Sequence, residues 1–172
     1  MGGLDLEFTV DTLNNFVESI DPDALPSEVP VLMSQGKSHG FHRPLTADEV
    51  LVTADTVVII EGKVLGKPHS REQAVEMLRE LSGRTHEVLT SVTIRDCARE
   101  ETFTDSTMVT FMELDAEEID YYIDKYKPFD KAGAYGVQEW IGYVAISHLD
   151  GSFYNVMGFP VHKVYRELLK FI

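Results

Sequence analysis

Residues 50–60 read Val50-Leu51-Val52-Thr53-Ala54-Asp55-Thr56-Val57-Val58-Ile59-Ile60. Apart from Asp55 the run is β-branched or apolar on both faces, the pattern of a central strand covered on each side. Glu61-Gly62-Lys63 turns the chain and Val64-Leu65 begins a short return strand. Working outward, residues 29–39 predict a helix, with Pro30 tolerated in its first turn. Residues 6–10 alternate weakly, as a strand would. On the other side Ser70 is a helix N-cap with Gln73 three residues on, and Ala74, Met77, Leu78 and Leu81 follow at helical spacing up to Gly83. Residues 87–95 and 102–112 read as an antiparallel pair. Asp115 with Glu118 opens a helix presenting Ile119, Tyr122, Ile123 and Tyr126 until Pro128. Residues 140–146, starting at Trp140, predict a further strand. Pro160 reads as the first position of a last helix, with Val161, Val164, Tyr165, Leu168 and Leu169 as its stripe. Strands interleaved with helices predict an α/β (mixed α+β) fold, one domain over residues 1–172, with a twisted mixed sheet and flanking helices.

Charge narrows the function. The chain of 172 residues carries 29 acidic against 15 basic side chains, a formal net charge of −14. Such a surface repels nucleic-acid phosphates, so no nucleic-acid partner is expected. Any phosphate ligand needs local help from a cation, backbone N–H groups or a metal. The single Cys97 excludes an internal disulfide and a cysteine-based zinc site, and is expected in a strand as a small hydrophobe. No apolar run reaches the ~18 residues of a membrane span, and no signal pattern opens the chain, so a cytoplasmic protein is expected. His39, His42, His69, His86, His148 and His162 show no metal-ligand spacing.

The chemistry then falls to polar residues that interrupt apolar runs. Asp55 is a carboxylate in a largely buried strand, costly unless it binds a metal, pairs with a cation, does catalytic work or is satisfied by backbone donors. Thr56 points to the opposite face. Lys67, between Gly66 and Pro68, lies at the end of the hairpin that leaves Asp55's strand, where an ammonium suits a phosphate or simply meets solvent. Asp130-Lys131-Ala132-Gly133-Ala134-Tyr135-Gly136-Val137-Gln138 is a polar, glycine-rich segment, either a surface turn or a loop that approaches a ligand closely. Its Gln138 amide both donates and accepts, as reading a nucleobase edge requires. One acid, several lysines, an amide and permissive glycines together suggest phosphate chemistry on a nucleotide. Walker-type, dinucleotide and serine-hydrolase signatures are absent from the sequence.

These motifs resemble the Maf family of nucleoside-triphosphate pyrophosphatases. The residues that carry the resemblance are Ala54-Asp55-Thr56-Val57-Val58, Leu65-Gly66-Lys67-Pro68, Leu81-Ser82-Gly83 with His86-Glu87-Val88, the segment from Asp130 to Gln138, and Gly151-Ser152-Phe153-Tyr154-Asn155-Val156-Met157-Gly158-Phe159-Pro160. The resemblance implies a cleft between two lobes, a homodimer, and hydrolysis of a nucleoside triphosphate to the monophosphate and pyrophosphate with a divalent metal, Mg²⁺ or Mn²⁺. It implies Asp55 as general base, Lys37, Lys67 and Lys131 as phosphate-facing cations, and Thr56 and Gln138 at positions linked to base selection. It implies Glu18 as the metal-associated glutamate beside Asp55, with Asp21 as its rival. The Lys131 and Gln138 form of the loop looks like the branch acting on dTTP and UTP, with modified pyrimidine triphosphates as an extension and house-cleaning as the role.

One departure sets up a second reading. Family members open with a strand and a Ser-x-Ser-Pro-Arg-Arg loop, whereas this chain opens Met1-Gly2-Gly3-Leu4-Asp5-Leu6-Glu7-Phe8, which matches the second strand of that fold. The expectation is that the first strand-loop-helix unit is missing, and with it two arginines for the phosphates. A shortened, catalytically impaired nucleotide-binding or partner-binding homologue linked to septum formation is the alternative.

Overall fold

The computed structural model describes residues 2–19 and 23–172. Its elements in chain order are α1 (Val29–His39), β1 (Leu51–Ile60), β2 (Lys63–Leu65), α2 (Arg71–Leu81), β3 (Thr85–Arg95), β4 (Glu100–Phe111), α3 (Ala116–Tyr126), α4 (Trp140–Val144), β5 (Ile146–Asp150), α5 (Phe153–Val156) and α6 (Val161–Leu168). The α/β class read from the sequence is the one observed. The five strands lie in the order β2-β1-β3-β4-β5, and every pairing among them is antiparallel rather than mixed. Central position goes to β3, whose residues from 88 to 94 are all buried, while β1 is one strand further out.

The sheet is covered on both faces. Val58, Ile60, Val88, Val109 and Phe111 pack with Leu78 of α2 and Ile119, Tyr122 and Ile123 of α3. Further along the same face Val92 and Ile94 meet Val164 and Leu168 of α6. The opposite face sets Val57 and Leu89 against Val29 and Met33 of α1. Burying a side chain of this size is worth roughly 1.5–3 kcal/mol each, which is what holds helices this short in place.

Local signals account for most boundaries. The Ser70 hydroxyl accepts from the Gln73 N–H at 3.2 Å and starts α2. Asp115 and Glu118 close a reciprocal capping box on α3, and Lys127 ends it in the left-handed region at φ 49°.

Three further expectations are corrected. Residues 140–146 are not a strand: 140–144 form α4, and β5 begins only at Ile146. Aromatic and β-branched residues favour a strand there, but tertiary packing wins. Gly142 makes the tight turn possible, because a Cβ at that position would lie 1.8 Å from the Val137 carbonyl oxygen. Residues 6–10 form no strand; they pair with no described neighbour, and Phe8 and Val10 are exposed. Cys97 is exposed in the β3–β4 turn, where Asp96 Oδ1 accepts from the N–H groups of Ala98 and Arg99 and draws the chain out of the ladder. Among the described residues no helix is long and apolar enough to cross a membrane.

Candidate active site

The site arises where pairing runs out. β2 pairs with β1 only over Val58, Ile59 and Ile60, whereas β3 pairs with β1 from Leu51 to Ile59. Over residues 51–57 the outer edge of β1 therefore has no strand neighbour among the described residues. A cleft of about 390 Å³ opens against this edge, lined by Lys37, Asp55, Thr56, Lys67, Lys131 and Gln138. Six of the seven side chains singled out in the sequence thus meet in one place. The seventh, Glu18, reaches it through Lys37, and its rival Asp21 lies outside the described residues.

Asp55 faces α1. Its Oδ1 accepts from Lys37 Nζ at 2.6 Å, and the same ammonium lies 3.0 Å from Glu18 Oε1. Glu18 is delivered by residues 14–18, which run across α1. There Asn14 Nδ2 donates to the Lys37 carbonyl at 2.7 Å and the Asn15 N–H to the Gly40 carbonyl at 2.7 Å. Gly36 permits this crossing, since a Cβ there would stand 2.3 Å from the Phe16 ring. Burial pushes the Asp55 carboxyl above the usual carboxylate range, against the opposing pull of Lys37. The hydrogen bond from Lys37 holds Glu18 below that range. Burial works against the charge on Lys37, yet its bonds to Asp55 and Glu18 keep its affinity for the proton above that of a free lysine. Lys67 is half-exposed, and among the described residues its one ion-pair contact is Glu18 at 4.0 Å.

Thr56 faces α5, across the strand from Asp55. Its hydroxyl lies 2.9 Å from that of Thr90, its register partner on β3, and Thr90 donates in turn to the Asn155 carbonyl at 2.9 Å. The Asn155 amide donates to the Val88 carbonyl and to Thr107 Oγ1, so α5 is tied to the sheet at two more points.

The glycine loop closes the third side. Gly133 (φ 67°) donates its N–H to the Gly66 carbonyl at 3.1 Å and stands against Val58, where a Cβ would lie 3.0 Å from the valine methyl. Two buried phenols anchor the chain beyond Gly133. Tyr122 accepts from the Gly136 N–H at 3.0 Å and donates to Glu139, and burial raises its pKa. Tyr135 lies 2.7 Å from His86 Nε2, an imidazole that burial lowers to about 4 and so keeps neutral. Lys131 bridges Asp130 at 2.8 Å and Glu139 at 3.4 Å. Gln138 is exposed, and no hydrogen bond to a described residue holds its amide.

Sequence reasoning missed Tyr122, Glu139, Thr90 and Asn155 as parts of this site. Only Glu139, an acid one residue beyond the glycine loop, left a local signal.

The arrangement offers one half-buried carboxylate with raised proton affinity, paired with Lys37, in a cleft that Lys67 and Lys131 also line, and a neutral hydroxyl-and-amide wall opposite. Comparison with known proteins agrees with the geometry. A family model described as Maf-like protein matches residues 2–171. A dTTP/UTP pyrophosphatase of Bacteroides thetaiotaomicron is 49% identical over 170 residues, covering 99% of this chain and 88% of that protein. The protein of the same name from Porphyromonas gingivalis is 47% identical, covering 99% and 87%, and one from Flavobacterium psychrophilum is 46% identical, covering 96% and 85%. The chain belongs to the Maf family.

Proposed function

We propose that this protein hydrolyses dTTP and UTP to the monophosphate and pyrophosphate, with modified pyrimidine triphosphates as further substrates in a house-cleaning role. The observation that carries the reading is Asp55: half-buried, raised in pKa, and set at an open strand edge facing two lysines and the glycine loop. A carboxylate with raised proton affinity is the better general base. Asp55 takes the proton of the attacking water, whose oxygen bonds to the α-phosphorus. The bond from that phosphorus to the bridging oxygen breaks, and pyrophosphate leaves with the electron pair. Lys67 and Lys37 hold phosphate oxygens, Lys131 stands behind them, and Thr56 and Gln138 face the base.

The charges require one further participant. Glu18, Asp55, Asp130 and Glu139 oppose Lys37, Lys67 and Lys131, so the lysines do not even neutralise the local carboxylates. A triphosphate therefore needs a cation brought with it. Among the described residues no three His, Cys, Asp or Glu side chains converge, which leaves the Glu18 and Asp55 pair as the donor set. Two oxygen donors that already share one ammonium fit Mg²⁺ or Mn²⁺, held by one or two carboxylates plus the substrate's phosphates. When bound, the ion would neutralise charge on the phosphates.

Pyrophosphate release from a panel of dTTP, UTP, CTP, ATP and GTP with Mg²⁺ or Mn²⁺ tests the reading. Release from dTTP and UTP, lost on chelation and restored by either metal, is expected. Orthophosphate as the product, or release unchanged in Asp55→Asn, overturns it. A cytoplasmic homodimer belongs to the same proposal, and sedimentation checks the dimer.

A further inference from the structure

We propose that Thr90 and Asn155 lock the polarity of the Thr56 hydroxyl, so that the neutral wall of the cleft accepts a hydrogen bond from an imide N–H. Uracil and thymine carry that group and cytosine lacks it. The inference rests on the nucleotide reading above and adds the residues that set its selectivity.

Counting protons fixes the polarity. A carbonyl oxygen can only accept, so in the 2.9 Å contact between Thr90 Oγ1 and the Asn155 carbonyl the threonine is the donor. The same carbonyl also takes the Gly158 N–H at 2.9 Å, which occupies both of its lone pairs. A hydroxyl has one proton, and that of Thr90 is spent. Thr90 and Asn155 are fully buried, so no bulk water can relieve them. In the 2.9 Å contact between Thr56 and Thr90, Thr56 must therefore donate. Its own single proton points into the sheet, and only lone pairs remain for the cleft.

Two features keep that oxygen available and its orientation firm. Gly158 (φ 96°) stands beside it, where a Cβ would lie 3.2 Å from Thr56 Oγ1 in a backbone conformation that favours glycine. The Asn155 side chain cannot turn away, because its amide donates to the Val88 carbonyl at 3.1 Å and to Thr107 Oγ1 at 3.0 Å. Gln138 lacks this rigidity. Its exposed amide is unheld by any described residue and can present either its oxygen or its NH₂. Gln138 alone would therefore satisfy uracil, whose N3 donates, and cytosine, whose N3 accepts. Thr56 cannot adapt, so an acceptor brought against it is left unpaired. Thr90 and Asn155 touch no substrate and act through Thr56, as positioning residues.

The test compares kcat/KM for UTP and CTP in the full chain and in Thr90→Val, which keeps the branched shape and removes the hydroxyl. The Thr56 proton is then free to turn toward the cleft. The UTP-to-CTP ratio should fall on the order of tenfold, as expected when one buried hydrogen-bond polarity is released, chiefly through better use of CTP. Thr90→Ser restores the hydroxyl and should restore the ratio, which a merely structural role would not require. An active enzyme with an unchanged ratio in Thr90→Val overturns the polarity lock alone. Wild-type turnover of CTP or N3-methyl-UTP at the rate of UTP overturns it without any variant. If the wild type releases pyrophosphate from no nucleotide, the pyrophosphatase reading fails and this inference falls with it.

Discussion

Asp55 and Thr56 are neighbours in sequence and belong to different worlds. On the α1 face Asp55 sits among ions, with Lys37 within 2.6 Å and Glu18 sharing that ammonium. On the α5 face Thr56 meets only neutral groups, namely the Thr90 hydroxyl and, beyond it, the Asn155 carbonyl. The period of two along a strand separates them: successive side chains must leave on opposite faces. Because the pairing of β2 with β1 stops at Val58, both faces reach the same open edge. One strand can then present a charged wall and a neutral wall to a single ligand. A nucleotide has that division in its own structure, an anionic tail and an uncharged base. The contrast gives each wall a task and makes the two separable by mutation.

The largest expected effect is on the charged wall. On the function proposed above, Asp55→Asn removes the proposed base and one of the two carboxylates proposed to hold the metal, while keeping the side-chain shape. Pyrophosphate release from UTP should fall by roughly 10²–10⁴-fold, the usual worth of a positioned general base. The preference of the cleft for UMP over CMP in a binding titration should not move. A variant that lost both turnover and preference would show that the two walls are one unit.

The neutral face makes a prediction of its own, about charge it will not tolerate. His86 lies on that face, 2.7 Å from Tyr135 of the glycine loop, and burial takes its pKa from the ordinary 6.5 to about 4. A base whose folded pKa is depressed binds its proton more readily when unfolded. Its neutral form therefore supports the fold fully above pH 6.5, and that support is lost as pH falls from 6.5 through about 4. By pH 4 the linkage amounts to about 3 kcal/mol for a shift of this size. Denaturant unfolding of the wild type and of His86→Gln between pH 7 and pH 4 measures it. The wild type should lose about 3 kcal/mol more than the variant over that range. Equal losses would mean that the face is wet enough to accept an imidazolium, and the contrast between the two walls would weaken.

How much of this was legible depends on the distance a signal has to travel. Ser70 and the Asp115–Glu118 box announce α2 and α3 because a cap and its partner lie three residues apart. The interior-strand character of residues 51–60 is visible in composition alone, since both faces are covered. The 140–146 segment is misread because its helix depends on the fit of Gly142 against the Val137 carbonyl, a contact that propensity does not see. Cys97 is misread because the Asp96 turn overrides the strand pattern before it. At the site, Asp55 stands out as a charge in an apolar run, whereas Thr90 and Asn155 look like ordinary residues of a strand and a motif. Their pairing spans 65 positions and exists only once α5 has folded onto β3. Lys37 and Glu18 enter the reading through family resemblance alone. Their meeting depends on Phe16 crossing Gly36, and no local pattern encodes it.

The smallest effect is the reverse of the first and the sharper probe. Thr56→Val keeps the volume and β-branching of the side chain and removes the oxygen that the neutral wall offers. Pyrophosphate release from UTP should stay within several-fold of the wild type, because Asp55, Lys37 and Glu18 all lie on the other face. The UTP-to-CTP ratio should drop by about tenfold, since loss of the acceptor removes one hydrogen bond to the imide and with it the penalty on cytosine. Thr90 then loses its donor but keeps its own bond to the Asn155 carbonyl, so α5 stays in place. That asymmetry makes the measurement decisive. A variant that lost turnover with its ratio intact would place Thr56 with the catalytic groups, and the two walls of β1 would no longer divide the substrate between them.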